Sequence, residues 1–397
     1  MTSVDLPEPP TEAREHSAQL SALLREMIAA HGSIPFATFM ERCLYAPGLG
    51  YYSAGTTKFG AAGDFITAPE LGSLFARCVA QVVAPTLQAC GKTARMLELG
   101  GGSGAFAEQA LLELARRQAL PAQYCILEPG AELRDRQQQR LSRNLPPDLA
   151  ARVQWLERPP ETGWHGVLFA NEVVDALPTT RFSITHGEVF EQHVALDTQG
   201  RFVHQDRPAD LLVQGAVRHL ERRLGQRFAD GYRSELLPQL PYWLQAVAGT
   251  LQTGLMLLID YGYPRQEYYL PERDEGTLRA FYRHRIHNDV LAWPGLQDLT
   301  ASVDFSALAE AGPGAGFELA TYLSQAQFLL ASGLAEFHAA AAAQGDPETL
   351  YRLSQEIKHL TLPAQMGECF QAMLFTRGLE PPPLNAELLA ADSRARL

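Results

Sequence analysis

The stretch Arg95-Met-Leu-Glu-Leu-Gly-Gly-Gly-Ser-Gly104 decides how this chain reads. Met96 to Leu99 is a short apolar run, the pattern of a buried parallel strand. Glycines follow at 100, 101, 102 and 104. Ala105 to Leu120 then carries Phe106, Ala107, Ala110, Leu111 and Leu114 at helical spacing. Strand, glycine turn and helix form the opening unit of a doubly wound α/β sheet. Glycine suits such a turn because positive φ is open to it and no Cβ keeps the backbone away from a ligand. Glu98 stands out as a carboxylate in a run that otherwise calls for burial. A buried carboxylate needs a partner, and a cationic ligand is one candidate.

Two ligands fit the turn. Gly100, Gly102 and Ala105 satisfy the dinucleotide pattern G-x-G-x-x-G/A. Read from Glu98, the same residues give E-x-G-x-G-x-G, which resembles the S-adenosylmethionine (AdoMet) loop of class I methyltransferases. AdoMet carries an amino group and a sulfonium and has no pyrophosphate, so a carboxylate at the strand end suits it better than it suits NAD. A tight turn with no ligand is the third reading of the glycines alone.

The chain has 397 residues, enough for one large domain with insertions or for two domains. Its net charge of −12 lacks the basic footprint of a general nucleic-acid binder, and it leaves a basic protein partner open. The cysteines, Cys43, Cys78, Cys90, Cys125 and Cys369, show no C-x-x-C and read as reduced thiols in a cytosolic protein. No apolar run reaches membrane-spanning length, so no membrane insertion is expected. Met1 to Pro10 is acidic and proline-rich, unlike a signal or transit peptide, and a cytoplasmic location is expected.

Along the chain, Thr11 to Ala30 reads as an amphipathic helix with Leu20, Leu23, Leu24, Met27 and Ile28 on its apolar face. Ser33 is placed to cap a second helix starting near Pro35. In Gly63-Asp-Phe-Ile-Thr-Ala-Pro-Glu70, Thr67 and Glu70 fit a capping box, with Pro69 in the first turn of a helix running to about Leu87. Its exposed amides could hold a carboxylate such as that of a methionine moiety. Asp64 lies in a loop without helix or strand period. This segment, with Asp64, Thr67 and Pro69, is expected to close over the cofactor.

Gln123 to Glu128 reads as a second strand. An acid at the end of that strand can accept hydrogen bonds from both ribose hydroxyls. Glu128 lies 28 residues beyond Gly100, more than the usual ~20, and the long intervening helix accounts for the excess. Arg152 to Glu157 is a third strand, with Trp155 and Leu156 either on an adenine or in the core. Val167 to Ala170 is a fourth, followed by Asn171-Glu-Val-Val-Asp-Ala-Leu-Pro178. Glu172 and Asp175 leave it at the carboxyl edge, where open α/β sheets bind ligands. Helix capping by Asn171 or Asp175, or by Glu172, is the alternative. Arg181 to Asp206 alternates like an inserted β-meander. Leu255 to Ile259 resumes the sheet, and Phe317 to Leu323 and Phe370 to Thr376 supply its last strands. Between them, Gly276 to Asp289 holds Arg279, Arg283, His284, Arg285 and His287 among aromatics. His284 and His287 have no accompanying cysteine or acidic ligand set, so no metal is expected.

Taken together, Gly63–Glu70, Glu98–Gly104, Asn171–Pro178 and the segment 276–305 resemble the MidA family, over roughly residues 33–378. The resemblance implies a class I methyltransferase fold: a Rossmann-like, mostly parallel seven-stranded sheet with an N-terminal helical lid and inserted β and helical segments. It implies AdoMet as cofactor, with S-adenosylhomocysteine as product. For the mitochondrial member it implies symmetric dimethylation of an arginine on a complex I core subunit, in aid of respiratory-complex assembly. A protein substrate of that kind is therefore the expected partner. The chain divides on this reading into 1–92, a helical lid region; 93–378, catalytic, with insertions at about 180–250 and 263–305; and 379–397, a flexible tail.

An arginine substrate is charged and a poor nucleophile, because its lone pairs are delocalised. Carboxylates paired with the guanidinium can hold it planar and localise electron density on the attacking nitrogen. Glu172 and Asp175 are placed for this. The cofactor-binding set is Asp64, Thr67, Pro69, Glu98, Gly100, Gly102, Gly104, Glu128 and Asn171, with Asn171 holding the amino or adenine end. Two other readings stay open at this level: a NAD-dependent oxidoreductase on the same turn, and an assembly chaperone keeping the methyltransferase fold without turnover.

Overall fold

The computed structural model describes residues 6–54, 67–343 and 345–397. The chain forms two compact units. One comprises Met1–Phe65, Val174–Gln239 and Tyr263–Asp304; the other comprises Ile66–Val173, Leu240–Gly262 and Phe305–Leu397. The expected insertions and the first N-terminal helices therefore belong to one body. Ala68–Leu71, Leu74–Cys90 and Leu240–Ala248 belong instead to the second unit.

That second unit is built on β1 (Arg95–Leu99), β2 (Gln123–Leu127), β3 (Val153–Leu156), β4 (Trp164–Asn171), β5 (Leu251–Tyr263), β6 (Glu318–Ser324) and β7 (Phe370–Arg377). The sheet runs β6-β7-β5-β4-β1-β2-β3, and an eighth, two-residue strand lies off this path. β1 through β5 are parallel to one another. β7 runs antiparallel between β5 and β6. Strand order reverses at β1 and β4, and that reversal opens a crevice at their carboxyl ends.

The apolar runs of β1, β4 and β5 are buried because helices cover the sheet. The helix Ala105–Arg116 turns Phe106, Ala107, Ala110, Leu111 and Leu114 inward, and the Phe106 ring stacks on Phe169 of β4 at 4.1 Å between centroids. Leu74–Cys90 adds Leu74, Phe75, Val79 and Val83 to the same core.

Two expectations change here. The helix expected from residue 68 to 87 is broken at Gly72, giving Ala68–Leu71 and Leu74–Cys90. A Cβ at Gly72 would lie 2.1 Å from a carboxylate oxygen of Glu356. The Glu356 carboxylate accepts from the Leu74 amide at 2.6 Å, so a residue far along the chain serves the first turn of the second piece. The segment after residue 379, expected to be loose, packs instead. Leu388 is 1% exposed in the core, and the Tyr322 amide of β6 donates to the Asp392 carboxylate at 3.0 Å.

The first unit starts with helices Thr11–His31 and Phe36–Tyr45. Ser33 does not cap the second of them; its hydroxyl meets His193 at 3.0 Å. An antiparallel sheet holds Ile34–Pro35, Glu188–Leu196, Thr180–Thr185 and Arg233–Leu236 in that order, with Phe202–Pro208 beside Glu188–Leu196. The helix Leu211–Leu224 packs Val213, Val217 and Leu220 into the core that this sheet shares. A second, small sheet joins Arg279–Tyr282 to Arg285–His287 on one side and to Asp298–Thr300 on the other.

Candidate functional site at the ends of β1 and β4

The glycine turn adopts the conformation its composition requires. Gly100, Gly102 and Gly104 have φ of +67°, +51° and +83°. A Cβ on Gly100 would press on Val173 at 3.2 Å, whereas one on Gly102 would meet nothing within 4 Å among the described residues. Gly102 also holds a backbone conformation that L side chains rarely adopt.

The carbonyl of Gly102 accepts from the Gln137 side-chain amide at 2.9 Å. Gln137 is fully buried. Its amide also reaches the Glu128 carboxylate at 3.4 Å, and its carbonyl accepts from the Trp155 indole at 2.8 Å. One side chain therefore ties the glycine turn, the acid at the end of β2 and the aromatic of β3 together. Sequence reading passed over it, although the signal was present. Leu133, Gln137 and Leu141 recur every four residues on the buried face of Ala131–Asn144, and a glutamine inside an apolar stripe needs partners. Trp155, left between adenine contact and core, is engaged through its indole by Gln137.

Glu128 is 5% exposed and accepts from the Gly130 amide at 2.9 Å. Glu98 is buried in β1, where the Tyr124 hydroxyl of β2 donates to it at 2.7 Å. Burial pushes its carboxyl up to about 8; the Tyr124 bond opposes the rise and the Glu128 charge adds to it. Among the described residues, the Tyr124 hydroxyl is the partner that its burial requires.

At the end of β4, Leu99 lies opposite Ala170 and Asn171 opposite Ile259. The Asn171 side-chain N–H donates to the Glu172 carboxylate at 2.9 Å. The Asn171 side-chain oxygen is buried and has no hydrogen-bond partner among the described residues. Glu172 has φ +53°, in the left-handed region that disfavours any residue with a Cβ. Its backbone is pinned on both sides. Its amide donates to the Ile259 carbonyl at 2.9 Å, and the following Val173 amide donates to the buried Asp260 carboxylate at 3.2 Å. Asp260, at the end of the apolar run of β5, is a second residue the sequence reading left without a role. No helix follows β4, so the capping alternative for Asn171, Glu172 and Asp175 falls.

Asp175 lies in the first unit, 6% exposed, and its carbonyl accepts from Ala301 at 3.0 Å. Its charge helps push the Tyr52 phenol upward, after burial and Asp298, to which Tyr52 donates at 2.8 Å.

Thr67 has the extended backbone of an N-cap, but its side chain caps nothing, so the capping box is absent. Glu70 is bonded instead by the Ser103 hydroxyl of the glycine turn. Pro69 sits in the first turn as expected. Asp64 lies outside the described residues. His284 is exposed and His287 is 4% exposed. Among the described residues, no group of three or more potential ligands could hold a metal.

The donor set fits AdoMet. Glu128 offers a buried carboxylate for hydroxyls, Gly102 carries no side chain to keep a ligand from the turn, and the Asn171 oxygen, unpartnered among the described residues, matches an amino donor. The sheet order and glycine turn define the fold of class I AdoMet-dependent methyltransferases. Residues 78–323 match the family described as "Putative S-adenosyl-L-methionine-dependent methyltransferase", and the chain belongs to that family, as its MidA-like motifs imply. A crystal structure of a superfamily member from Burkholderia thailandensis, bound to S-adenosyl-homocysteine, superimposes with a TM-score of 0.90 at 39% identity. The match covers 99% of this chain and 100% of that one. The mitochondrial protein arginine methyltransferase NDUFAF7 homolog of Drosophila melanogaster is 27% identical, across 94% of this chain and 88% of its own length. The NDUFAF7 protein arginine methyltransferase of Danio rerio is 28% identical, across 88% and 84%. No described helix is long and apolar enough to cross a membrane.

Proposed function

We propose that this enzyme methylates an arginine side chain of a protein, with Glu172 as the acid that engages the guanidinium. Glu172 at φ +53° carries the reading. A strained non-glycine backbone, held by β5 on both sides, is maintained where a carboxylate is needed at the edge beside the glycine turn. When bound, AdoMet supplies an electrophilic methyl group on its sulfonium. Gly100, Gly102 and Gly104 would let the cofactor approach the backbone, Glu128 would accept from its ribose, and the Asn171 oxygen would take its amino group. Thr67 and Pro69 would border it through the short helix that Glu70 ties to Ser103. Glu172 would hold the guanidinium planar and favour electron density on one nitrogen. Asp175 is the second candidate acid.

The names of the arginine methyltransferase relatives support the substrate class. On the MidA resemblance, the substrate is a complex I core subunit, the product is symmetric dimethylarginine, and the modification aids respiratory-complex assembly. The test is transfer of a labelled methyl group from AdoMet into a lysate from cells lacking this protein, followed by mass spectrometry of the labelled band. Dimethylarginine on a respiratory-complex subunit is expected. Label on a residue other than arginine would overturn the reading.

A further inference from the structure

The glycines after β1 do not all serve one purpose. A Cβ on Gly101 would lie 2.6 Å from the Ile126 side chain and 3.1 Å from the Gln137 amide nitrogen. Gly101 is therefore bare so that Ile126 and Gln137 can pack against the turn. Gln137 comes from the helix Ala131–Asn144, on the face that also buries Leu133 and Leu141. Arg140, one turn further along, donates to the Ser103 hydroxyl at 3.3 Å and pairs with Glu108 at 2.7 Å. This one helix thus holds two successive residues of the turn, Gly102 and Ser103.

Each partner of Gln137 bonds in one sense only. The Trp155 indole can only donate, whereas the Gly102 carbonyl and an ionised Glu128 carboxylate can only accept. The three bonds therefore admit one orientation of the amide, with its oxygen toward Trp155 and its nitrogen toward Gly102 and Glu128. Gln137 is 0% exposed, so a bond left unmade there leaves a buried polar group unsatisfied. A trans peptide puts a carbonyl and the following N–H on opposite sides. Holding the Gly102 carbonyl on Gln137 thus turns the Ser103 N–H away from it. The same amide nitrogen meets one oxygen of Glu128 at 3.4 Å, and the Gly130 amide donates to the other at 2.9 Å. The plane of that carboxylate is set from both of its oxygens.

We propose that Gln137 is a positioning residue for the cofactor's ribose: it fixes the rotation of the Glu128 carboxylate, and the Trp155 indole in turn fixes Gln137. The inference rests on the reading that Glu128 accepts from the ribose hydroxyls. A carboxylate that must accept from two hydroxyls at once gains from a plane fixed in advance, because less freedom is lost when the ligand arrives.

The test is calorimetric titration of the full chain with S-adenosylhomocysteine and with its analogue lacking both ribose hydroxyls. The ratio of the two dissociation constants reads the ribose contact, and any general loss of affinity cancels in it. In the native protein it should be about thirtyfold. Gln137→Met fills the same space without hydrogen bonds and should lower the ratio to about fivefold. Trp155→Phe leaves Gln137 in place and removes only the indole donor. It should lower the ratio about threefold, and it carries the test if Gln137→Met does not fold. A residue that merely braced the fold would lower Tm and weaken both ligands together, so a ratio left at the native value by either variant overturns the proposal. Glu128→Ala separates the two levels of the argument. There the ratio should fall close to one. A ratio that survives Glu128→Ala overturns the ribose reading and this inference with it. A ratio lost in Glu128→Ala but kept in the Gln137 and Trp155 variants overturns this inference alone.

Discussion

The turns after β1 and β4 leave neighbouring parallel strands at the same edge of the sheet, and they solve a positive-φ requirement in opposite ways. The first uses glycine at 100, 102 and 104, with φ from +51° to +83°. The second places Glu172 at +53°. A glycine there would be the relaxed choice. The difference separates two tasks. On the proposed function, the first turn removes side chains where the backbone is to approach a ligand. The second keeps a charged side chain at that edge on a strained backbone, which the amides of Glu172 and Val173 fix by donating to Ile259 and Asp260.

The largest effect should come from erasing the first solution. Gly102→Val places a branched side chain beside the turn and forces a backbone that valine avoids. AdoMet binding by calorimetry should be lost; unchanged affinity would move the cofactor elsewhere.

Next is Glu172→Gln, which keeps shape and removes charge. Methyl transfer should fall about a hundredfold or more, the scale of one preorganised electrostatic group. AdoMet affinity and melting temperature should hold. Near-normal turnover would reduce the second turn to architecture.

Glu128→Ala tests whether the acid beside the first turn binds the cofactor or only braces Gly130 and Gln137. Loss of charge-assisted bonds worth about 1.5–3 kcal/mol each should weaken AdoMet about tenfold to a hundredfold. A fall in stability with full affinity would assign it to bracing.

The smallest effect sharpens the contrast most. Glu172→Gly should relieve the left-handed strain and stabilise the fold by about 1 kcal/mol, while turnover collapses. A variant that is less stable as well as inactive would mean that the glutamate side chain holds the turn together.

Much of this site was legible before any coordinates. The strand–glycine–helix unit, Glu128 at the end of β2 and Glu172 after β4 all stand where local pattern puts them. What the sequence reading missed depends on partners from other elements. Gln137 was recognisable as a polar residue in an apolar stripe, but not that it would bond Gly102, Glu128 and Trp155 at once. Thr67 and Glu70 had the spacing of a capping box, yet Ser103 engages Glu70 instead.

By itself the sequence determined the α/β class, the succession of strands along the chain and the glycine turn. These follow from hydrophobic period and from glycine's access to positive φ, and both act within a few residues. Only the tertiary structure decided that Gly72 breaks a helix because Glu356 fills its place. It likewise decided that Tyr124 shelters Glu98, that Leu388 draws the C-terminal segment into the core, and that three separate stretches make one unit. Each of those depends on which buried group meets which. Burial leaves polar atoms to be satisfied by whatever packing brings near, and chain separation does not limit that choice.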